Sequence, residues 1–396
     1  MVAGRTRGGV LVLVAIVLVA VNLRAAVTSL GALLDEVSVG IGLSHTAAGV
    51  MTSLPVVAFA AFGAVTPRLS ARFGAPALLF VAMGLLATGQ AVRAMTPSVP
   101  VFVVSSAAAL GGVAVANVLL PGLVRQYFPD RVGSVTGLYS MTMIFGSAVA
   151  AGTAVPIAHA AGSWRAGIGV WAVLAVIAMI ALYQARPALR RPARTLERPD
   201  GGGVAVRPSR TRVGWALAVF FGLQSMSGFA IMGWLPQLYR DAGFSAETAG
   251  LLLAAMIAGS VIMAFVLPVL AAGRSDQRPL VLALAGSMLI AYVGLAVAPH
   301  AGAIVWTVLL AIGQGAFPLA LSLIGVRART PAGVIALSAF AQSAGYLIAV
   351  AGPLAVGVLY EATGGWYAAL GVLLVAMVIQ AIAGLAASRP RTLEDE

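Results

Sequence analysis

The chain has no cysteine and no lysine among its 396 residues, and charged residues of either sign make up only 9% of it. The missing cysteine excludes a disulfide framework, thiol chemistry and thiolate metal sites. So little charge, against 61% hydrophobic residues, excludes a soluble domain of this length, which needs far more polar surface over its core. Only 12 residues are acidic and 3 are histidine. The sequence offers no intramembrane His/Asp/Glu cluster, no zinc-ligand spacing and no phosphate-cradling glycine loop, so no enzyme is expected and no cofactor or metal is implied. A membrane-bound sensor would normally add a soluble output domain, and no segment is long enough for one.

What is present is a succession of apolar stretches of about 20–28 residues, split by short polar or Pro/Gly turns, the pattern of membrane-spanning helices. Twelve are read, at about 9–35, 45–69, 74–95, 98–126, 131–158, 163–185, 211–239, 245–271, 278–298, 301–328, 332–360 and 364–387. The fold class is therefore an all-α membrane protein. The first stretch is too long for the apolar region of a signal peptide and lacks a small-residue cleavage site, so cleavage is not expected.

The net charge of +12 rests on 24 arginines. With both termini cytoplasmic, twenty of them fall on the cytoplasmic side, among them Arg68, Arg72, Arg125, Arg131, Arg274, Arg278, Arg327 and Arg329. Arg93, Arg165 and Arg240 fall outside, and Arg24 lies within the membrane. That asymmetry is the positive-inside rule and places the chain as a multi-pass protein of the inner (plasma) membrane. The Arg/Pro/Gly-rich stretch 186–212 reads as a flexible cytoplasmic linker near anionic lipid head groups, not a nucleic-acid arm.

A shift of about 201 residues aligns the two halves of the chain. Ser44-His45-Thr46-Ala47-Ala48-Gly49 meets Ser245-Ala246-Glu247-Thr248-Ala249-Gly250, Pro67 meets Pro268, Gly111 meets Gly313, and Arg125 before Pro129 meets Arg327 before Pro331. The domains expected are a six-helix half over 1–185, the linker 186–212, a second six-helix half over 213–390 and an acidic cytoplasmic tail over 391–396. An even helix count brings both copies into the membrane from the same side. Two such parallel repeats resemble the major facilitator superfamily, which binds substrate near the midplane. That superfamily's turn after the second helix resembles Gly-x-x-x-Asp-Arg-x-Gly-Arg-Arg; here Gly63 to Arg72 keeps the glycine, Arg68 and Arg72 but has Pro67 at the aspartate position. Arg68 and Arg72 are candidates for a gating role or for anchoring to lipid head groups.

Asn22-Leu23-Arg24 with Thr28-Ser29-x-Gly31-x-Leu33-Leu34 resembles the first helix of the cyanate and 2-nitroimidazole transporter family. Asn117-Val118-Leu119-Leu120-Pro121, Phe128-Pro129 and Thr136-Gly137-Leu138-Tyr139-Ser140-Met141 are similar to its fourth and fifth helices. Trp164-Arg165, Trp171-Ala172 and Trp234-Leu235-Pro236 extend the match. Ala25 and Ala32 stand where that family often has proline, so the first helix is expected to be straighter. The resemblance implies a transporter of a small anionic or planar polar solute.

The residues themselves point to Arg24. A helix through residues 9–34 carries it some 15 residues past one edge and 12 short of the other, roughly 22 and 18 Å, beyond an arginine's reach to water. A mid-bilayer charge costs about 2.5–3.5 kcal/mol, and such residues usually face a cavity on a solute path; a structural cation held by carbonyls is the alternative. Arg24, Thr28 and Gly31 share one helix face. Asn22 and Ser29 lie about 200° round from Arg24 and suit interhelical hydrogen bonds, although Asn22 stays a site candidate.

Asn117 precedes Pro121 by one turn, and Tyr139, Met143 and Gly146 form a stripe. The second half offers Gln224 with Gly228, Gln314 with Phe317, and Gln342 with Tyr346. Each of these amides and rings is read as either solute-binding or interhelical packing. Trp234, before Pro236, suits a hinge or gate. His45, His159 and His300 fall near helix ends and read as surface residues.

Asp35, Glu36, Asp241, Glu247 and Glu361 lie at outer helix ends, and the other seven acids lie in cytoplasmic segments or the linker. With no carboxylate at mid-membrane, an arginine there favours an anionic or electron-rich solute, and its planar guanidinium suits a planar one. Proton symport has no obvious carrier, so uniport or exchange is expected. A drug exporter of the same superfamily is the alternative, and the chain is expected to act as a monomer.

Overall fold

A peptide group in hydrocarbon has no water to bond, so each apolar stretch satisfies its N–H and C=O groups by coiling on itself. In a computed structural model, which describes residues 2–42, 45–189 and 207–396, the described residues form helices and turns and no strand. Most of the linker expected over 186–212 lies outside the described residues, as do the side chains of Asp35, His45 and Glu247.

The helices are α1 (Val2–Ala32), α2 (Leu34–Ile41), α3 (His45–Phe73), α4 (Ala75–Met95), α5 (Val99–Tyr127), α6 (Val132–Ala160), α7 (Trp164–Leu189), α8 (Arg212–Asp241), α9 (Ala246–Ala272), α10 (Arg278–Val297), α11 (Ala303–Gly313), α12 (Ala316–Val326), α13 (Pro331–Ala349), α14 (Ala351–Thr363) and α15 (Tyr367–Ala387). Among the described residues, 11 helical stretches are long and apolar enough to cross a membrane. The chain divides into two compact units, Met1–Arg131 with Leu138–Ala205, and Val132–Gly137 with Val206–Glu396.

Helix pairing recurs between the units. In the first, α1 packs on α7, α4 on α5 and α7, and α3 on α5. In the second, α8 packs on α15, α10 on α11 and α15, and α9 on α11 and α12. The first unit's α1 runs without interruption past Ala25 to Ala32, and the chain turns at Leu33. The apolar pattern carries on through that turn, which is why the sequence reads a single stretch there.

Two further expected spans are interrupted. The tenth breaks at Gln314 and Gly315, between α11 and α12. Glycines on both sides of Gln314 weaken the helix, and Pro318 has no N–H to return to the Gln314 carbonyl. That carbonyl instead accepts from Phe317 N at 3.2 Å, in a tighter turn. The eleventh breaks at Val350, where Pro353 cannot bond the Ala349 carbonyl.

Small residues set how closely the helices approach. A Cβ on Gly345 of α13 would lie 2.7 Å from Phe221 Cδ1 and 3.0 Å from Gly222 N of α8. On α4, a Cβ at Gly89 would lie 2.6 Å from the Ser105 carbonyl of α5. The approaches to Gly222 N and to the Ser105 carbonyl bring backbone against backbone, which a glycine permits, the usual basis of helix association in lipid.

The C-terminal residues fold back on the second unit. Leu393 is buried and donates its amide to Arg327 O at 2.7 Å. Glu394 accepts from Arg329 N, Asp395 pairs with the Arg329 guanidinium, and Glu396 accepts from Arg212 N at 2.5 Å. Arg327 is buried behind them and donates to Gln277 and to the carbonyls of Ala387 and Ser388. Burial lowers its pKa, opposed by the charge of Asp276.

Replacing Gly345 by Val is expected to cost about 1–3 kcal/mol by overpacking α8 against α13, measured by thermal unfolding in detergent. The Asp395 carboxyl is held below the ordinary aspartate value by the Thr392 backbone N–H, then by the Thr392 hydroxyl and Arg329. A depressed pKa adds stability above the unfolded value, lost as pH falls, so the tail contacts weaken below about pH 4. Hydrogen exchange at the Leu393 amide, corrected for intrinsic rate, should show that loss of protection.

Candidate functional site

In the first unit the α1 register separates two kinds of polar residue. Arg24 and Thr28 are half-buried, and Thr28 Oγ1 donates back to the Arg24 carbonyl at 3.0 Å. Gly31, one turn on, is exposed, with open space where a Cβ would stand. Asn22 points away from this face. It is 1% exposed, and its Nδ2 donates to Leu18 O at 2.8 Å and to Leu174 O of α7 at 3.3 Å. Ser29 is fully buried on the Asn22 side.

Asn117 is buried in α5, one turn before Pro121. Tyr139 and Met143 are buried in α6, and Gly146 meets α1, where a Cβ would lie 2.5 Å from the Val21 carbonyl. The stripe predicted on α6 is thus in part an α1 packing surface. Arg68 and Arg72 are both exposed near the end of α3, and the Arg72 guanidinium sits 5.3 Å from the Phe73 ring centre.

The second unit gathers several of its candidates. Gln224 Nε2 of α8 donates to Gln314 Oε1 at 3.5 Å. Gly228, one turn further, leaves room for that pair: a Cβ there would lie 3.2 Å from Gln314 Oε1. Gln314 stands at the α11–α12 break, and its Nε2 is buried without a hydrogen-bond partner among the described residues. Phe317, in the first turn of α12, and Tyr346 of α13 flank Phe221, with ring centres 5.8 and 5.1 Å from it. Gln342 is buried one turn before Tyr346 and donates to Ser338 Oγ at 2.6 Å. The result is a set of uncharged amides beside an aromatic wall, at a broken helix. Broken helices expose backbone groups where a membrane protein needs them for a solute.

Trp234 and Pro236 belong to a second aromatic group near the end of α8. Trp234 Nε1 donates to the Pro353 carbonyl of α14 at 3.1 Å. Its ring lies 6.4 Å from Tyr360 and 6.1 Å from Trp366. Asp241 joins them, accepting from the Tyr360 hydroxyl at 2.7 Å, Trp366 Nε1 at 2.9 Å and Gln237 Nε2 at 2.7 Å. This network fastens the α8 end to α14, the helix that begins after the Val350 break. His159 and His300 are exposed, and His300 stacks on Phe244 with ring centres 4.4 Å apart.

Sequence reasoning passed over Phe221 and the pair Gln90 and Arg93. Phe221 lies three residues before Gln224, so helical spacing places both on one face. Arg93, counted among the outer arginines, is 0% exposed, and it donates to Gln90 and to the Ala26 carbonyl of α1. The signal was available: Leu79, Met83, Leu86, Gln90 and Arg93 are spaced four, three, four and three residues apart, and all are buried.

Comparison with known proteins agrees with this architecture. The sequence profile of the Major Facilitator Superfamily matches residues 12–350. The chain belongs to that superfamily. The 2-nitroimidazole transporter of Escherichia coli (strain K12) is 31% identical over 392 residues, covering 99% of this chain and 98% of that protein. The cyanate transport protein CynX of the same organism is 29% identical over 359 residues, covering 89% and 91%. A solved structure of the proton:xylose symporter XylE superposes with a TM-score of 0.77 at 16% identity, covering 99% of this chain and 98% of that one.

Within the superfamily this chain therefore falls in the cyanate and 2-nitroimidazole transporter family, as a multi-pass membrane transporter of small molecules and not an enzyme. Phe221 is buried on α8 and meets Phe317 of α12 and Tyr346 of α13. Phe221→Ala is expected to destabilise the second unit by about 3–5 kcal/mol, measured as a lowered midpoint in thermal unfolding of the purified protein.

Proposed function

We propose that this protein is a secondary or facilitated transporter of a small anionic or planar polar solute, a cyanate-like anion or a nitroimidazole-like heterocycle, working by alternating access with Arg24 as its principal solute contact. The observation that carries the reading is the Arg24 face of α1. Arg24 and Thr28 are half-buried, with open space at Gly31, in the middle of an apolar helix. An arginine costs too much at that depth to stand on a lipid-facing surface. Its guanidinium offers a rigid planar fork of donors, which suits a nitro group or a linear anion better than a point charge does.

The amide and aromatic group of the second unit supports the planar part of this reading. Gln224 and Gln314 offer neutral donors and acceptors, and Phe221, Phe317 and Tyr346 offer π-faces. We assign Asn117 and Tyr139 to solute contact in the first unit, Gln342 and Tyr346 to solute contact in the second, and Trp234 with Pro236 to a gate at the α8–α14 junction. Two relatives, a 2-nitroimidazole transporter and a cyanate transport protein, lie within the same solute chemistry by name.

The arginine distribution favours both termini on the cytoplasmic side of the inner membrane, with Arg165 and Arg240 outside. The domain boundaries near residues 185 and 213 follow from the internal repeat. Uptake of a monovalent anion opposes a negative-inside potential by about 2.3 kcal/mol per 100 mV. With no carboxylate placed at mid-membrane by the sequence, uniport or exchange is the favoured mode, and the protein works as a monomer.

The test is ligand-induced thermal stabilisation of the purified protein with cyanate, 2-nitroimidazole and a panel of small anions. Stabilisation by a member of this set is expected. Arg24→Ala should weaken it at least tenfold, and Arg24→Lys, which keeps the charge and loses the fork, should fall between. Equal binding by Arg24→Ala and the parent would overturn the assignment of Arg24.

A further inference from the structure

Arg93 and Gln90 form a polar pair on the buried face of α4, on the side of α1 away from the Arg24 side chain. The Arg93 guanidinium spends one nitrogen, Nη2, on both of its bonds, to Ala26 O at 2.9 Å and to Gln90 Oε1. Its Nε and Nη1 are buried without a partner among the described residues, and so is Gln90 Nε2. The bond from Arg93 fixes the orientation of the Gln90 amide: the oxygen is taken and the NH2 remains. Three donors and one positive charge thus lie within one turn of α4, with Gln90 1% and Arg93 0% exposed.

The chemistry of this group is one-sided. Among the described residues, every buried side-chain nitrogen or oxygen of α4 without a partner is a donor. A water molecule accepting from them would need acceptors for its own two hydrogens, and it would leave the charge uncompensated. Among the described residues the ion pairs are Arg278 with Asp276 and Arg329 with Asp395, both in the second unit. The negative end of the α4 dipole compensates Arg93 in part, since the residue lies in the last turn. Nε and Nη1 lie on different edges of the planar guanidinium, so a small anion would accept from one of them together with Gln90 Nε2, and would neutralise the charge.

We propose that Gln90 and Arg93 bind a small monovalent inorganic anion, chloride under ordinary conditions, as a resident counter-ion inside the first unit. The site is distinct from the solute contact at Arg24, because Ala26 is two residues and about 200° round the helix from it. It stiffens the α1–α4 contact at the level of Arg24, since the same guanidinium that holds the anion holds the Ala26 carbonyl. The anion comes either from solution as a permanent ligand or from the transported pool, and the two sources give different results.

The experiment measures thermal unfolding of the full-length protein in sodium chloride, bromide and the bulky gluconate. Chloride should raise the midpoint by roughly 3 °C for each tenfold increase above its dissociation constant. Arg24→Ala should keep this response, Arg93→Gln should lose it, and Gln90→Leu should raise the half-saturating chloride concentration about tenfold. A crystal grown in bromide should give an anomalous peak beside Arg93, a readout that survives if Arg93→Gln does not fold. No halide response in the parent, an unchanged response in Arg93→Gln, or no bromide peak at saturation would overturn the proposal. Loss of the response in Arg24→Ala alone would do the same, because it would move the anion to the transported solute's site.

Discussion

Hydrocarbon offers no partner to a peptide group and little tolerance for a charge, and most of this structure follows from that constraint. Backbone groups must be bonded within each segment, so the described spans are helices. Charged side chains are driven to the ends, where Arg329, Asp395 and Glu396 build the contacts of the C-terminal tail. With no hydrophobic force between helices in lipid, close approach of small residues carries the packing. Gly345 against Gly222 and Gly89 against Ser105 are where this is most visible.

The same constraint makes exceptions informative. Arg24, Arg93 and the break at Gln314 each violate the rule for a lipid-facing helix, and each lies on an interior or accessible face. Arg24 is half-buried on a face with open space, and Arg93 is sealed between α4 and α1. Gln314 leaves an amide nitrogen buried without a partner among the described residues, at a point where the helix itself is interrupted. A transporter needs groups that a plain bundle would exclude, and these positions are where this chain carries them.

Individual residues show how far the sequence could be read. Arg24, Thr28 and Gly31 share a face by spacing alone, and Asn22 points to α7 as its offset from Arg24 requires. The pairing of Gln224 with Gln314 was not legible in the same way. Two amides 90 residues apart meet only because α8 packs beside the α11–α12 break. Nor could the sequence show Arg93 reaching Ala26, because helical spacing gives the buried face of α4 but not the helix it faces. The breaks at Gln314 and Val350 had local signals, Gly313, Gly315, Pro318 and Pro353, but hydropathy is continuous across both.

The sequence by itself determined the all-helical membrane class and the helix face that Arg24 shares with Thr28, because these depend on local hydropathy and on spacing along a helix. Tertiary structure decided which polar side chains meet. It set Gln314 against Gln224, enclosed Phe221 between Phe317 and Tyr346, and turned Arg93 from an end residue into a buried donor group. Such meetings depend on which helices are neighbours and how closely their glycines let them approach, and no single-chain periodicity contains that information.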